Sequence, residues 1–133
     1  MKQVALGLVV DSKAMKGALA LVAGTNDGTI ATYGTMSSEL AATGNYAAGG
    51  ATVTNANAAG LTTTTAYWTP SASIVYPSNM TSSGAFDAMV LYSTTDANRV
   101  LGVFTFGSQT VTSGTFTLTM PTNNSTLALI RFA

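Results

Sequence analysis

The stretch 100–120, VLGVFTFGSQTVTSGTFTLTM, constrains the fold more than any other part of this chain. It holds no charged residue, and it ends in strict alternation: Phe116, Leu118 and Met120 to one side, Thr115, Thr117 and Thr119 to the other. A period of two puts successive side chains on opposite faces of a pleated strand. The threonines stand where lysines and glutamates usually line a solvent face. That row is either a hydrated polar face or a surface that meets another subunit.

Strand signals recur on both sides of this stretch. Residues 85–92 (AFDAMVLY) are apolar on both faces apart from Asp87, as in a central strand, and 93–98 (STTDAN) turn the chain into 99–106 (RVLGVFTF). After the Pro121-Thr122-Asn123-Asn124 turn, 126–132 (TLALIRF) supplies a last strand, so the C-terminal half reads as an antiparallel meander of four consecutive strands. Upstream, 4–10 (VALGLVV) is a short β-branched apolar run that predicts a buried strand. Residues 18–33 predict a hairpin about Asn26-Asp27-Gly28, with a helix over 14–22 as the competing reading. The small-residue segment 34–60 resembles a linker, yet Tyr46 and the alternating ATVTNA predict strands joined by ordered loops. Residues 61–68 (LTTTTAYW) are strand-like, because threonine is β-branched. Pro70 and Pro77 bracket SASIVY, which places that strand at an edge.

Together these elements predict an all-β fold, a two-layer antiparallel β-sandwich of jelly-roll or Ig-like type. The 133 residues fit a single domain over 1–133, with residues 1–38 either a hairpin or an extended N-terminal arm. The opening MKQVALGLVVD has the look of a signal peptide, but Asp11 closes the apolar run early. No run approaches the roughly 20 apolar residues of a membrane span.

Charge narrows the partners. Charged residues make up 8% of the chain, where about 25% is usual, and five acids balance five bases. The bases Lys2, Lys13, Lys16, Arg99 and Arg131 are too few and too scattered to neutralise a phosphate backbone, so no nucleic-acid partner is expected. A neutral surface favours association, as in a part of a larger assembly.

The residues that usually carry chemistry are scarce. Cysteine and histidine are both absent, which removes thiolate nucleophiles, imidazole bases and the commonest metal ligands. Ser12 and Lys16 in SKAMK miss the Ser-x-x-Lys spacing of serine acylases by one residue. The acids Asp11, Asp27, Glu39, Asp87 and Asp96 are isolated; Asp87 and Asp96 could meet across their hairpin, but Asp96 sits where a turn residue belongs. AAGGATV lacks the lysine of a phosphate-binding loop. No catalytic residue, metal site or cofactor is expected. Tyr46, Tyr67 and Trp68, with Tyr76, could stack on sugars, although the single Trp68 fits a core equally well. The run 62–65 (TTTT) lacks the flat repeats of an ice-binding array, and the sequons at Asn79 and Asn124 carry meaning only in a secreted chain.

The order of these elements resembles one family. ELAATGNYAAGGATVT, with Glu39, Gly44, Tyr46, Gly49 and Gly50, is similar to a segment of small β-sandwich virion proteins of tailed bacteriophages. TAYWTPSAS, with Trp68 and Thr69, resembles that family's aromatic segment. The closest similarity is AMVLYSTTDANRVLGVFTFGSQTVTSGTFTLTM: a strand ending in Tyr92, a turn with Thr95, Asp96 and Asn98, then Phe106-Gly107, Gly114 and Phe116, followed by ALIRF. The resemblance covers 39–132. It implies a non-enzymatic virion protein, a capsid decoration or cement protein that binds the major capsid protein and forms a homo-oligomer, a trimer foremost. It also implies a location on the virion after assembly in the host cytoplasm. A tail, neck or fibre component is the alternative, and a carbohydrate-binding module the second. An interface would be sought at Tyr46, Gly49 and Gly50, at Tyr67 and Trp68, and at Tyr76 on the edge strand between the prolines.

Overall fold

The computed structural model describes residues 1, 2 and 5–133 in full. Among the described residues the chain is all-β, with one short α-helix, one 3-10 turn (Tyr33–Thr35) and three antiparallel sheets. Helix α1 (Lys2–Val10) is followed by β1 (Met15–Leu21), β2 (Ala51–Val53), β3 (Gly60–Leu61), β4 (Ala66–Trp68), β5 (Ile74–Val75), β6 (Phe86–Ser93), β7 (Arg99–Gln109), β8 (Thr117–Leu118) and β9 (Ile130–Phe132). The sheets run β2-β1-β6-β7, β3-β4-β9 and β5-β8. None of the helices among the described residues is long and apolar enough to cross a membrane.

The alternating and apolar segments behave as their patterns require. β6 is central, paired with β1 on one side and β7 on the other, and its burial on both faces matches its nearly continuous apolar sequence. The Thr/Phe alternation also holds: Thr115, Thr117 and Thr119 are exposed, while Phe116, Leu118 and Met120 pack against the core. The strand between the prolines is short and pairs only with β8, as an edge strand would.

Four expectations are corrected. The run 4–10 forms helix, not strand. A short apolar run does not distinguish a strand from a buried helix, and Leu6 and Val10, four residues apart on one helical face, are both buried in the core. Val4 lies outside the described residues. The hairpin over 18–33 has only its first arm, which also excludes the helix over 14–22. β1 has no edge left for a second arm, because β6 takes one side while β2 and residues 38–40 share the other. Residues 62–65 are the tip of the β3–β4 hairpin and not part of a strand; Thr62 N–H closes the turn on the Thr65 carbonyl at 3.0 Å. Finally, only β6 and β7 of the expected meander are neighbours, since β8 joins β5 and β9 joins β4. Threonine propensity and short links describe local pairing, whereas these partners are set by burial across the chain.

One apolar cluster runs through the molecule. Met15 and Leu19 of β1 and Met89 and Leu91 of β6 face it together with Leu6 and Val10 of α1, Trp68, Ile74 and Tyr76. Phe86, Phe106 and Phe116 form an aromatic group at one side, with Phe86 edge-on to both partners at 6.2 and 4.9 Å. The alternate residues Lys16, Val90 and Tyr92 lie on the other face of the sheet, where the Tyr33 ring stacks on Tyr92 at 4.6 Å.

Candidate functional site: a carboxylate clasp and an apolar groove

Glu39 is the sole glutamate of the chain. Its position follows from backbone pairing: Leu21 N–H donates to the Ser38 carbonyl and Leu40 N–H to the Leu19 carbonyl, each at 2.9 Å. With the backbone fixed beside β1, the half-buried carboxylate accepts three hydrogen bonds. These come from the Tyr33 hydroxyl at 2.5 Å, the Tyr46 hydroxyl at 2.9 Å and the Gly49 N–H at 2.7 Å. The Tyr46 oxygen in turn accepts the Leu19 N–H at 2.9 Å, and the Tyr92 hydroxyl donates to the Gly49 carbonyl at 2.9 Å. Side chains therefore satisfy both backbone polar groups of Gly49. The loop 44–50 is clasped onto the sheet from below.

The electrostatics suit a clasp. Burial raises the phenol pKa of Tyr33 and Tyr46, and the neighbouring Glu39 adds to it. Tyr92 is raised by burial and then by the Glu39 charge, and Tyr76 by burial alone, with its hydroxyl donating to the Gly17 carbonyl at 2.9 Å. Phenols held neutral and a carboxylate with three donors form a saturated network. It fastens the loop onto the sheet.

Two measurable outcomes follow. Glu39→Ala leaves two hydroxyls and one N–H without their acceptor and should cost about 2–4 kcal/mol in urea denaturation; a loss below about 0.5 kcal/mol would contradict the clasp. The phenols give a pH prediction. Their folded pKa values lie above the ordinary phenol value, so their contribution is complete below about pH 10 and is lost as pH rises through the folded values. Alkaline titration should therefore show phenolate absorbance from Tyr33, Tyr46, Tyr76 and Tyr92 appearing together with loss of circular dichroism. Independent titration of all four near pH 10 in an intact fold would contradict this burial.

The residues expected at an interface divide sharply. Tyr46, Trp68 and Tyr76 are buried in the chain's own core, and Gly49 is buried beneath the clasp. They are corrected from surface to scaffold, because each polar end already has an internal partner. Trp68 is fully buried, its Nε1–H donating to Asn55 Oδ1 at 3.2 Å and to the Asn57 carbonyl at 3.1 Å. A sugar platform built from Tyr46, Tyr67 and Trp68 is therefore not formed. Tyr67 is half-buried over Gly60, and Gly50 is half-buried at a close backbone approach. Asp87 and Asp96 fall at opposite ends of the β6–β7 hairpin. Asp96 is a turn residue, as expected: it accepts from Lys13 Nζ at 3.0 Å and from Ser93 Oγ at 2.9 Å, and these bonds hold its carboxyl below the usual range.

The recess that the sequence did not announce lies between α1, β7 and β9. It has a volume of about 230 Å³ and is walled by Leu8, Val9, Val100, Leu101, Ile130 and Phe132, with Asp96 and Arg99 at its polar side. Leu8 is 71% exposed and Phe132 47%. A strand over 4–10 would put Leu6 and Leu8 on one face, whereas the helix turns Leu6 inward and Leu8 outward. The lack of any polar residue in that run was the available signal, because a helix apolar all round has a second face to cover.

No protein-family model, curated protein or solved structure matches the chain.

Proposed function

We propose that this chain is a non-enzymatic structural component of a tailed-bacteriophage virion, a decoration protein that binds the major capsid protein in multiple copies and reinforces the shell. In this reading the fold is a two-layer sandwich, with the four-stranded sheet as one layer and β3-β4-β9 with β5-β8 as the other.

The observation that carries the proposal is the ordered run of family-like residues, together with the work they do in the fold. Tyr92, next to last in β6, ties down Gly49, Asp96 closes the following turn, and Phe106 and Phe116 complete the aromatic group with Phe86. Glu39, Tyr46 and Gly49 make the clasp. Part of the resemblance thus falls on residues that build the framework, while Gly44, Thr95, Asn98 and Gly107 are exposed. The charge-poor composition and the saturated polar network support a role in assembly over one in chemistry.

Phage particles assembled without this chain test the proposal. They should release their DNA at lower temperature and under milder osmotic shock than complete particles. Equal resistance would overturn the decoration role.

A further inference from the structure

We infer that the groove between α1, β7 and β9 is a docking site for an extended apolar peptide segment that carries an acidic residue, supplied by the protein on which this chain is mounted. The inference rests on the reading of the chain as an assembly component and names the surface that would engage its partner.

Three observations converge on this occupant. The walls are apolar and open, with Leu8 71% and Phe132 47% exposed. Covering such side chains is favourable, and the recess of about 230 Å³ admits side chains but not a folded domain. β9 is the outer strand of its sheet, so its second edge carries no strand; an extended segment can add to it through backbone hydrogen bonds.

The charge at the rim then selects the partner. Lys13 and Asp96 are matched to each other at 3.0 Å, and the second Asp96 oxygen is held by Ser93. The exposed Arg99 guanidinium has no hydrogen bond among the described residues. With the Asp96 oxygens held by Lys13 and Ser93, the Arg99 guanidinium is the cation left at the polar side of the apolar slot for an incoming group. A carboxylate on the incoming segment complements it and can accept a bidentate pair from the planar guanidinium. A second copy of this chain would bring the same excess cation to the contact, which disfavours self-docking.

The test uses the isotope-labelled full-length chain and two synthetic probes, acetyl-Val-Ile-Asp-Ile-Val-amide and the same peptide with lysine in place of aspartate. Amide shifts in the nuclear magnetic resonance spectrum report binding. The aspartate peptide should shift Leu8, Val9, Leu101, Ile130 and Phe132 saturably, and the lysine peptide should bind about tenfold more weakly or worse. Arg99→Gln should weaken the aspartate peptide by about the same factor and erase the preference between the two. Leu8→Asp, at an exposed position, should abolish binding without unfolding the chain. Equal affinity for the two peptides, shifts confined to other surfaces, or no saturable shift would overturn the inference. So would a light-scattering mass above the monomer that falls on Leu8→Asp, since a second copy would then fill the groove. No virion enters this experiment, so its outcome is independent of whether capsids need the chain.

Discussion

Gly50→Ala is expected to leave the chain unfolded, or to cost about 4 kcal/mol or more in urea denaturation. Two effects add at this position. The backbone φ is +76°, in the left-handed region that disfavours a side chain. A Cβ there would also lie 1.9 Å from the Gly17 carbonyl oxygen and 2.6 Å from the Ala18 Cα, both backbone atoms of β1. Neither can move without parting β1 from β2, which are paired at Gly17 and Ala51. The control is Gly28→Ala, where nothing lies within 4 Å of the added carbon; it should change stability by less than about 1 kcal/mol. Equal effects at both positions would contradict the packing of loop 44–50 on β1.

Trp68→Ala is the second large effect, with an expected loss of about 3–5 kcal/mol. The indole is fully buried and belongs to the cluster that joins α1 to the sheets. It also anchors a polar relay. Trp68 Nε1–H donates to Asn55 Oδ1, and Asn55 Nδ2 donates to the Val10 carbonyl at 2.6 Å and the Lys13 carbonyl at 2.9 Å. The end of the helix is thus held by the tryptophan through one asparagine. Trp68→Phe keeps most of the apolar volume but removes the donor, and should cost about 1–3 kcal/mol. Intrinsic fluorescence should be blue-shifted in the native protein and insensitive to glycans, as befits a core tryptophan. A red, quencher-accessible emission would contradict this placement and restore the sugar platform.

What could be read from the sequence was local. The period of two in TFTLTM and the unbroken apolar run of AMVLY fix which side chains are covered, because alternation and burial are properties of neighbouring residues. Pro70 and Pro77 likewise confine the strand between them to an edge through a missing donor. Pairing partners were less legible. β1 is flanked by β6, by β2 and by residues 38–40, segments that lie far from it in the chain, and no spacing announces them. The first ten residues were ambiguous for a different reason. VALGLVV satisfies both a strand and a helix buried on one side, and only the contacts of Leu6 and Val10 with the core decide between them.

The clasp was half visible. Tyr46, Gly49 and Gly50 stand out in the sequence, and so does a lone glutamate in a charge-poor chain. Their direction did not: the glycine-rich loop suggests a reach toward a neighbour, whereas the Glu39 carboxylate draws it inward through Tyr46 and Gly49. The groove is not legible in the sequence, because its walls come from three distant segments and the run 4–10 fits a period of two as well as one of 3.6. The groove proposed for a partner lies at Leu8, Arg99 and Phe132, away from Tyr46 and Tyr76.

The proposed role as a repeated component of a capsid shell is tested most directly by the copy number of this chain relative to the major capsid protein in purified virions, by quantitative mass spectrometry. A ratio of the same order as the shell protein is expected. A handful of copies per particle, or none, would contradict it.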